Sequence, residues 1–183
     1  RGKQTNGNQW DIRQDIHTTD IHQANITAIE AIKRGATSLG LRAKNVQNAE
    51  DMSALLSGID LNKVKINFTC SRDYATTLQY FVQYATQSGY NTAELEGSCN
   101  FDIFKHALVH GAFRNGEESD FASAQQLLTY ATDHLPKFKV FTINGNLFHN
   151  SGSNIVQELG FSPAAANEMV ARLTDMGCKI ELV

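Results

Sequence analysis

The apolar residues of this chain recur with two periods in turn, about 3.6 residues and about 2 residues, and this switching constrains the fold more than any other feature. Asp20 to Arg34 has the helical period: Asp20 can cap it, Ile21, Ala24, Ala28, Ile29 and Ile32 form a stripe, and Gly35 stands where a left-handed cap is wanted. Thr37 to Arg42 reads as a short strand, Asp51 to Leu56 as a helix closed by Gly58, and Val64 to Cys70 alternates as a strand. The plan repeats with a helix over Asp73 to Ser88, a strand over Leu95 to Asn100 and a helix marked by Phe104, Ala107 and Leu108. Asp120 to His134 is the clearest helix, ended by Pro136, and Lys139 to Asn144 is the strongest strand. Beyond it, Ile155, Val156 and Leu159 open a helical region that Ser162-Pro163 is expected to restart, as an N-cap with proline at the first helical position.

Strands each followed by helix give successive βα units and a parallel sheet. The four strands predicted here amount to half of a (β/α)8 TIM-type barrel. A small doubly wound α/β binding domain is the architectural alternative, although Arg42-Ala43-Lys44-Asn45 stands where a glycine-rich phosphate turn would follow the first strand. The organisation expected is one partial barrel domain over residues 1–183, a piece of a longer chain, with residues 1–36 forming an N-terminal segment and first helix that lead into it. The alternating stretch Lys179 to Val183 reads as the start of a further strand. Half a barrel would have two open sheet edges and an apolar interior face, so such a piece is expected to self-associate or to bury those edges with its own terminal segments.

Composition narrows the class further. With 183 residues, 42% hydrophobic and 19% charged, the chain is an ordinary globular one. A net charge of −3 gives no general attraction to nucleic acid, and no apolar run is long enough to cross a bilayer. Three cysteines, Cys70, Cys99 and Cys178, are an odd count with apolar or small neighbours, which reads as buried reduced thiols in a cytoplasmic protein.

Ligands of parallel α/β folds lie at the carboxyl ends of the strands. The richest such place is Asn144-Gly145-Asn146-Leu147-Phe148-His149-Asn150-Ser151-Gly152, read as a polar loop that either binds a ligand or is a solvated turn. His106 and His110 can share a helical face, but Ala107 occupies the place of the glutamate in a His-Glu-x-x-His zinc motif, so no metal is expected. Asp15-Ile16-His17 and Asp20-Ile21-His22 each begin an Asp-x-His-x-x-Gly motif, which supplies an axial histidine to cobalamin, but neither reaches the glycine. Glu117-Glu118-Ser119-Asp120 reads as a helix cap favoured by the dipole.

The order of short motifs is more specific. Trp10-Asp11-Ile12-Arg13-Gln14, Arg34-Gly35-Ala36 before Leu39-Gly40-Leu41, Asp51-Met52, Leu56-Ser57-Gly58-Ile59, Asp102-Ile103-Phe104-Lys105 and Thr142-Ile143-Asn144-Gly145 follow one another. This series resembles the acyl-CoA-binding barrel of the methylmalonyl-CoA mutase family across essentially the whole chain. The resemblance implies the first half of a (β/α)8 barrel within an adenosylcobalamin-dependent isomerase.

Against that family's catalytic chains, Asp15 stands where a tyrosine contacts substrate and cofactor. Leu147 replaces the histidine that contacts the thioester carbonyl, in a segment that reads Gly145-Asn146-Leu147, and His149 matches a glutamine instead. His110 aligns with the arginine that pairs with the substrate carboxylate. The resemblance is therefore to the small, non-catalytic subunit of the heterodimeric mutases. It implies no catalytic residue in this chain and no bound cofactor here. Asp15, His110, Asn144, Gly145, Asn146, Leu147 and His149 would be vestigial site positions, and the large catalytic subunit, which carries adenosylcobalamin, would be the partner. The enzyme alternative is a divergent acyl-CoA mutase that uses His149 and Asn146.

Overall fold

The computed structural model describes residues 10–17, 19–69 and 73–179. Five strands, β1 (Arg13–Ile16), β2 (Ser38–Arg42), β3 (Lys65–Thr69), β4 (Gly97–Phe101) and β5 (Phe138–Phe141), form one sheet in the order β1-β2-β3-β4-β5. Every pairing is parallel. Helices α1 (Ile21–Lys33), α2 (Ala49–Leu56), α3 (Tyr74–Gln87), α4 (Lys105–His110), α5 (Glu117–His134), α6 (Gly145–Asn150) and α7 (Ile155–Asp175) connect and extend the strands. Strand order follows chain order without reversal, so the sheet has no switch point of the doubly wound kind. It is the open, parallel sheet of a partial barrel, and the doubly wound alternative is set aside.

The helices that were legible start where their caps dictate. Asp20 accepts from Gln23 N at the head of α1, Asn48 from Asp51 N at α2, and Asp73 from Thr76 N at α3. Gly35 follows α1 with φ +104°, the left-handed conformation that glycine alone adopts freely. β3 alternates as expected, with Ile66 and Phe68 buried; Cys70, assigned to its end, and Ile180–Val183 of the expected C-terminal strand lie outside the described residues.

Four features differ from the sequence reading. β1 is a fifth strand: Arg13-Gln14-Asp15-Ile16 carries one apolar side chain, so no alternation marks it. It is held by main-chain pairing to β2 and by Ile12, whose N–H donates to Thr37 Oγ1 and whose carbonyl accepts from Thr37 and Ser38. α5 begins at Glu117 behind Gly116, so the acidic run lies within its first turn and does not supply the cap. The polar loop after β5 is instead largely helix, α6. α7 runs unbroken through Pro163, with Asn154 and Gln157 closing a capping box at its start. The missing proline N–H leaves the carbonyl of Leu159 without its helical donor, and that stretch is exposed, so water can serve it.

One core joins the sheet to α1, α2, α3 and α5. Leu39, Leu41, Ile66, Phe68, Cys99 and Val140 point into it, against Ala28, Met52, Leu56, Leu78, Phe81 and Leu128. A smaller cluster of Ile103, Phe121, Ala124, Met169 and Leu173 anchors the second half of α7 to the head of α5. The first half of α7 stands free of that cluster, with Ile155, Val156 and Leu159 each more than 70% exposed.

Candidate functional site

Alternation sends polar residues to the face of the sheet away from the helices. Across the strands Asp15, Gly40, Asn67, Ser98 and Lys139 stand in one row. Asn67 is its hub: its Nδ2 donates to Ser38 Oγ at 2.8 Å and to the Leu39 carbonyl at 3.0 Å, and Ser98 Oγ donates to its Oδ1 at 2.7 Å. Asp15 accepts from Arg13 Nε at 2.7 Å, and a side chain at Gly40 would put Cβ 1.7 Å from Asp15 Oδ1. Toward the start of the strands, Lys65 Nζ meets Asp11 at 3.0 Å and Glu96 at 2.7 Å, and these carboxylates hold its ammonium above the ordinary lysine range. The expected apolar interior face is thus corrected. The strands bury their apolar alternates under the helices and leave hydrogen-bonding groups on the concave side.

At the carboxyl ends of β2 and β4 lies a cleft of about 880 Å³ walled by the heads of α3 and α5 and by α4. Arg42, Lys44, Lys105, Arg114, His106 and His110 line it. His106 and His110 share a face as their spacing predicts, with ring centroids 4.5 Å apart, and His106 Nδ1 lies 2.8 Å from the Ala112 carbonyl. A carbonyl only accepts, so that nitrogen carries the proton. Asp102 organises the floor: its Oδ1 accepts from Phe104 N and Lys105 N, and its Oδ2 from Asn144 N at 3.1 Å, tying the end of β4 to the segment after β5.

The segment from Asn144 to Asn150 does not open into this cleft. Asn144 precedes α6, Gly145 begins it, Asn146 is exposed, and Leu147 is half-buried and accepts from Ser151 Oγ. His149 is exposed and its Nδ1 lies 3.1 Å from Glu158 Oε2, so α6 is tied back onto α7, and Phe148 packs on Phe161. Of the positions singled out in the sequence, His110 lines the cleft, Asn144 reaches it only through Asp102, and Asp15 lies on the polar row at β1. The structure therefore does not gather them into one site. The cations Arg42, Lys44, Lys105 and Arg114 are not among the site residues read from the sequence; Arg42-Ala43-Lys44 at the end of a strand was the available signal.

No group of three or more metal-ligating side chains occurs among the described residues. The two Asp-x-His pairs do not fit an axial histidine for cobalamin: Asp15 is engaged by Arg13, Asp20 caps α1, and His22 lies within that helix. Cys99 is 2% exposed and burial pushes its thiol far above the usual range, so it is no nucleophile. Among the described residues no helix is long and apolar enough to cross a membrane.

Comparison with known proteins gives the family. A family model described as methylmalonyl-CoA mutase matches residues 40–183. The methylmalonyl-CoA mutase small subunit of Porphyromonas gingivalis is 34% identical over 177 residues, covering 95% of this chain and 28% of that protein. The methylmalonyl-CoA mutase of Cereibacter sphaeroides is 26% identical over 74% of the chain. The 2-hydroxyisobutanoyl-CoA mutase large subunit of Aquincola tertiaricarbonis is 24% identical over 78%. The chain spans 19–28% of the length of these three relatives. By the extent of the family match and the identity to the small subunit, the chain belongs to the methylmalonyl-CoA mutase family.

Proposed function

We propose that this chain is part of the small subunit of a heterodimeric methylmalonyl-CoA mutase. It serves the isomerisation of methylmalonyl-CoA and succinyl-CoA by holding the large subunit, and contributes no catalytic residue. The observation that carries this reading is the 34% identity, over 95% of the chain, to a protein named as a small subunit. The chemistry of the vestigial positions supports it. Leu147 cannot donate a hydrogen bond to a thioester oxygen, and Asp15 is already paired with Arg13. An imidazole at His110 lacks the planar fork of donors that makes a bidentate guanidinium clamp. His149, the residue a divergent catalytic site would use, is turned to Glu158. Adenosylcobalamin is then held by the large subunit.

Two features support association with another chain: the exposed Ile155, Val156 and Leu159 of α7, and the exposed β1, which pairs with β2 alone among the described residues. The deciding experiment supplies adenosylcobalamin and methylmalonyl-CoA to the purified protein with and without the large subunit. Turnover is expected only with the partner present, and turnover by the lone chain would overturn the reading. Sedimentation of the lone chain is expected to show self-association.

A further inference from the structure

Two imidazoles stand together on α4. His106 and His110 are about one helical turn apart, and their ring centroids lie 4.5 Å from each other at a tilt of 45°. Two imidazole nitrogens bound at right angles to one first-row metal give about this separation, since each ring centroid then lies ~3.2 Å from the metal. The rings therefore already have the spacing of neighbouring ligands. Ala107 stands where a His-Glu-x-x-His motif has its glutamate, but in that motif the glutamate is the general base and the two histidines are the ligands.

His106 is also held in the protonation state that a metal needs. Its Nδ1–H donates to the Ala112 carbonyl at 2.8 Å, which leaves Nε2 unprotonated, with its lone pair available for coordination. Gly111 turns the chain so that this carbonyl returns to the ring: it ends α4 at φ +76°, with its N–H donating to the Ala107 carbonyl. A ring N–H tied to a backbone carbonyl is the common support of a metal-bound histidine, because it fixes both tautomer and orientation. His110 lies in the last turn of α4, where the carbonyl end of the helix favours positive charge.

The surrounding charge does not exclude a cation. Arg42, Lys44, Lys105 and Arg114 line the cleft together with Asp73, Asp102 and Asp120, so positive and negative side chains nearly balance. Lys105 is the neighbour of His106 in sequence, but it leaves the helix about 100° away from it. Imidazole nitrogen suits nickel, copper and zinc, whereas magnesium requires oxygen ligands.

We propose that His106 and His110 form a two-histidine site for a late first-row divalent metal ion, with water in the remaining coordination positions and the Ala112 carbonyl orienting His106. The site does not rest on the pairing of the chain with a large subunit.

The probe is Ni²⁺ titrated calorimetrically into the whole protein, free of chelator and of any polyhistidine tag, with Zn²⁺ and Mg²⁺ as further arms. One saturable site for Ni²⁺ and for Zn²⁺ is expected, and none for Mg²⁺. His106→Gln and His110→Gln should each weaken Ni²⁺ binding by about tenfold or more, the loss of one of two protein ligands. His134→Gln should leave it unchanged, although His134 also stands one turn from a ring, that of Tyr130 at 4.4 Å. His110 is exposed, so its variant keeps the test alive if His106→Gln fails to fold. Absence of saturable Ni²⁺ binding, the same loss in His134→Gln, binding that survives His110→Gln, or equal affinity for Mg²⁺ overturns the proposal.

Discussion

The helix-covered face of the sheet and the face opposite are built from alternate residues of the same strands, yet different forces hold them. On the covered face Leu39, Leu41, Ile66 and Phe68 are at most 1% exposed, and Phe68 meets Phe81 edge-on at 5.4 Å between centroids. On the open face Ser38, Asn67 and Ser98 are linked by directional hydrogen bonds, and the ion pairs Arg13–Asp15 and Lys65–Glu96 flank them. The first face is stabilised by apolar area removed from water and tolerates no change of volume. The second is stabilised by bonds that water can partly replace, so single substitutions there should be cheaper.

The largest effect is expected at Phe68→Ala, which empties the junction with Phe81 and Phe138. It should cost about 3–5 kcal/mol, read from the denaturant midpoint. Gly97→Ala comes next, because its Cβ would lie 2.0 Å from the Ile66 carbonyl oxygen and 2.3 Å from the Phe138 ring, neither of which can step aside. An overpacking cost of about 1–3 kcal/mol is expected. Asn67→Ala on the open face removes a residue that makes three hydrogen bonds and should cost about 1–2 kcal/mol. Gly40→Ala should cost less, below about 1 kcal/mol, because the atom it strikes is the end of the exposed Asp15 side chain. In an Asp15→Ala background the Gly40→Ala cost should vanish in a double-mutant cycle. Equal costs for Gly97→Ala and Gly40→Ala would break the distinction between the faces.

The same distinction explains what was legible in the sequence. Segments that bury an apolar stripe announced themselves: α1, α3, α5 and β3 lie within a few residues of their expected bounds. β1 was missed because its side chains are mostly exposed and main-chain pairing alone defines it. α6 was read as a loop because its glycine and asparagines suit a turn, while its helix is fixed by tertiary contact with α7 through Phe148–Phe161 and His149–Glu158. Alternation in Lys65-Ile66-Asn67-Phe68-Thr69 puts polar residues on one face of β3, which the expectation of an apolar interior face overlooks, and only the sheet order shows that Asn67 meets Ser38 and Ser98. The cleft was hidden for a related reason. Arg42 is far in sequence from Lys105 and Arg114, and parallel strand order brings it to them.

The smallest effect expected belongs to Lys65, whose side chain is 41% exposed between Glu96 and Asp11. Its hydrogen bonds, first to Glu96 and then to Asp11, raise its proton affinity in the folded state above the ordinary value of 10.5. A group whose folded pKa is raised stabilises the fold below its unfolded pKa, and loses that contribution as pH rises through the folded value. Lys65→Gln should therefore lower stability by less than about 1 kcal/mol at neutral pH, since solvent screens a pair this open. The difference from the parent should hold constant from neutral pH to about 10, then shrink at higher pH as the parent's ammonium deprotonates. Added salt should shrink it as well, whereas the cost of Phe68→Ala, being apolar, should not fall with salt. A Lys65→Gln cost that grew with rising pH would mean that the lysine's charge opposes the fold, and the open face would then owe its order to Asn67 and its neighbours alone.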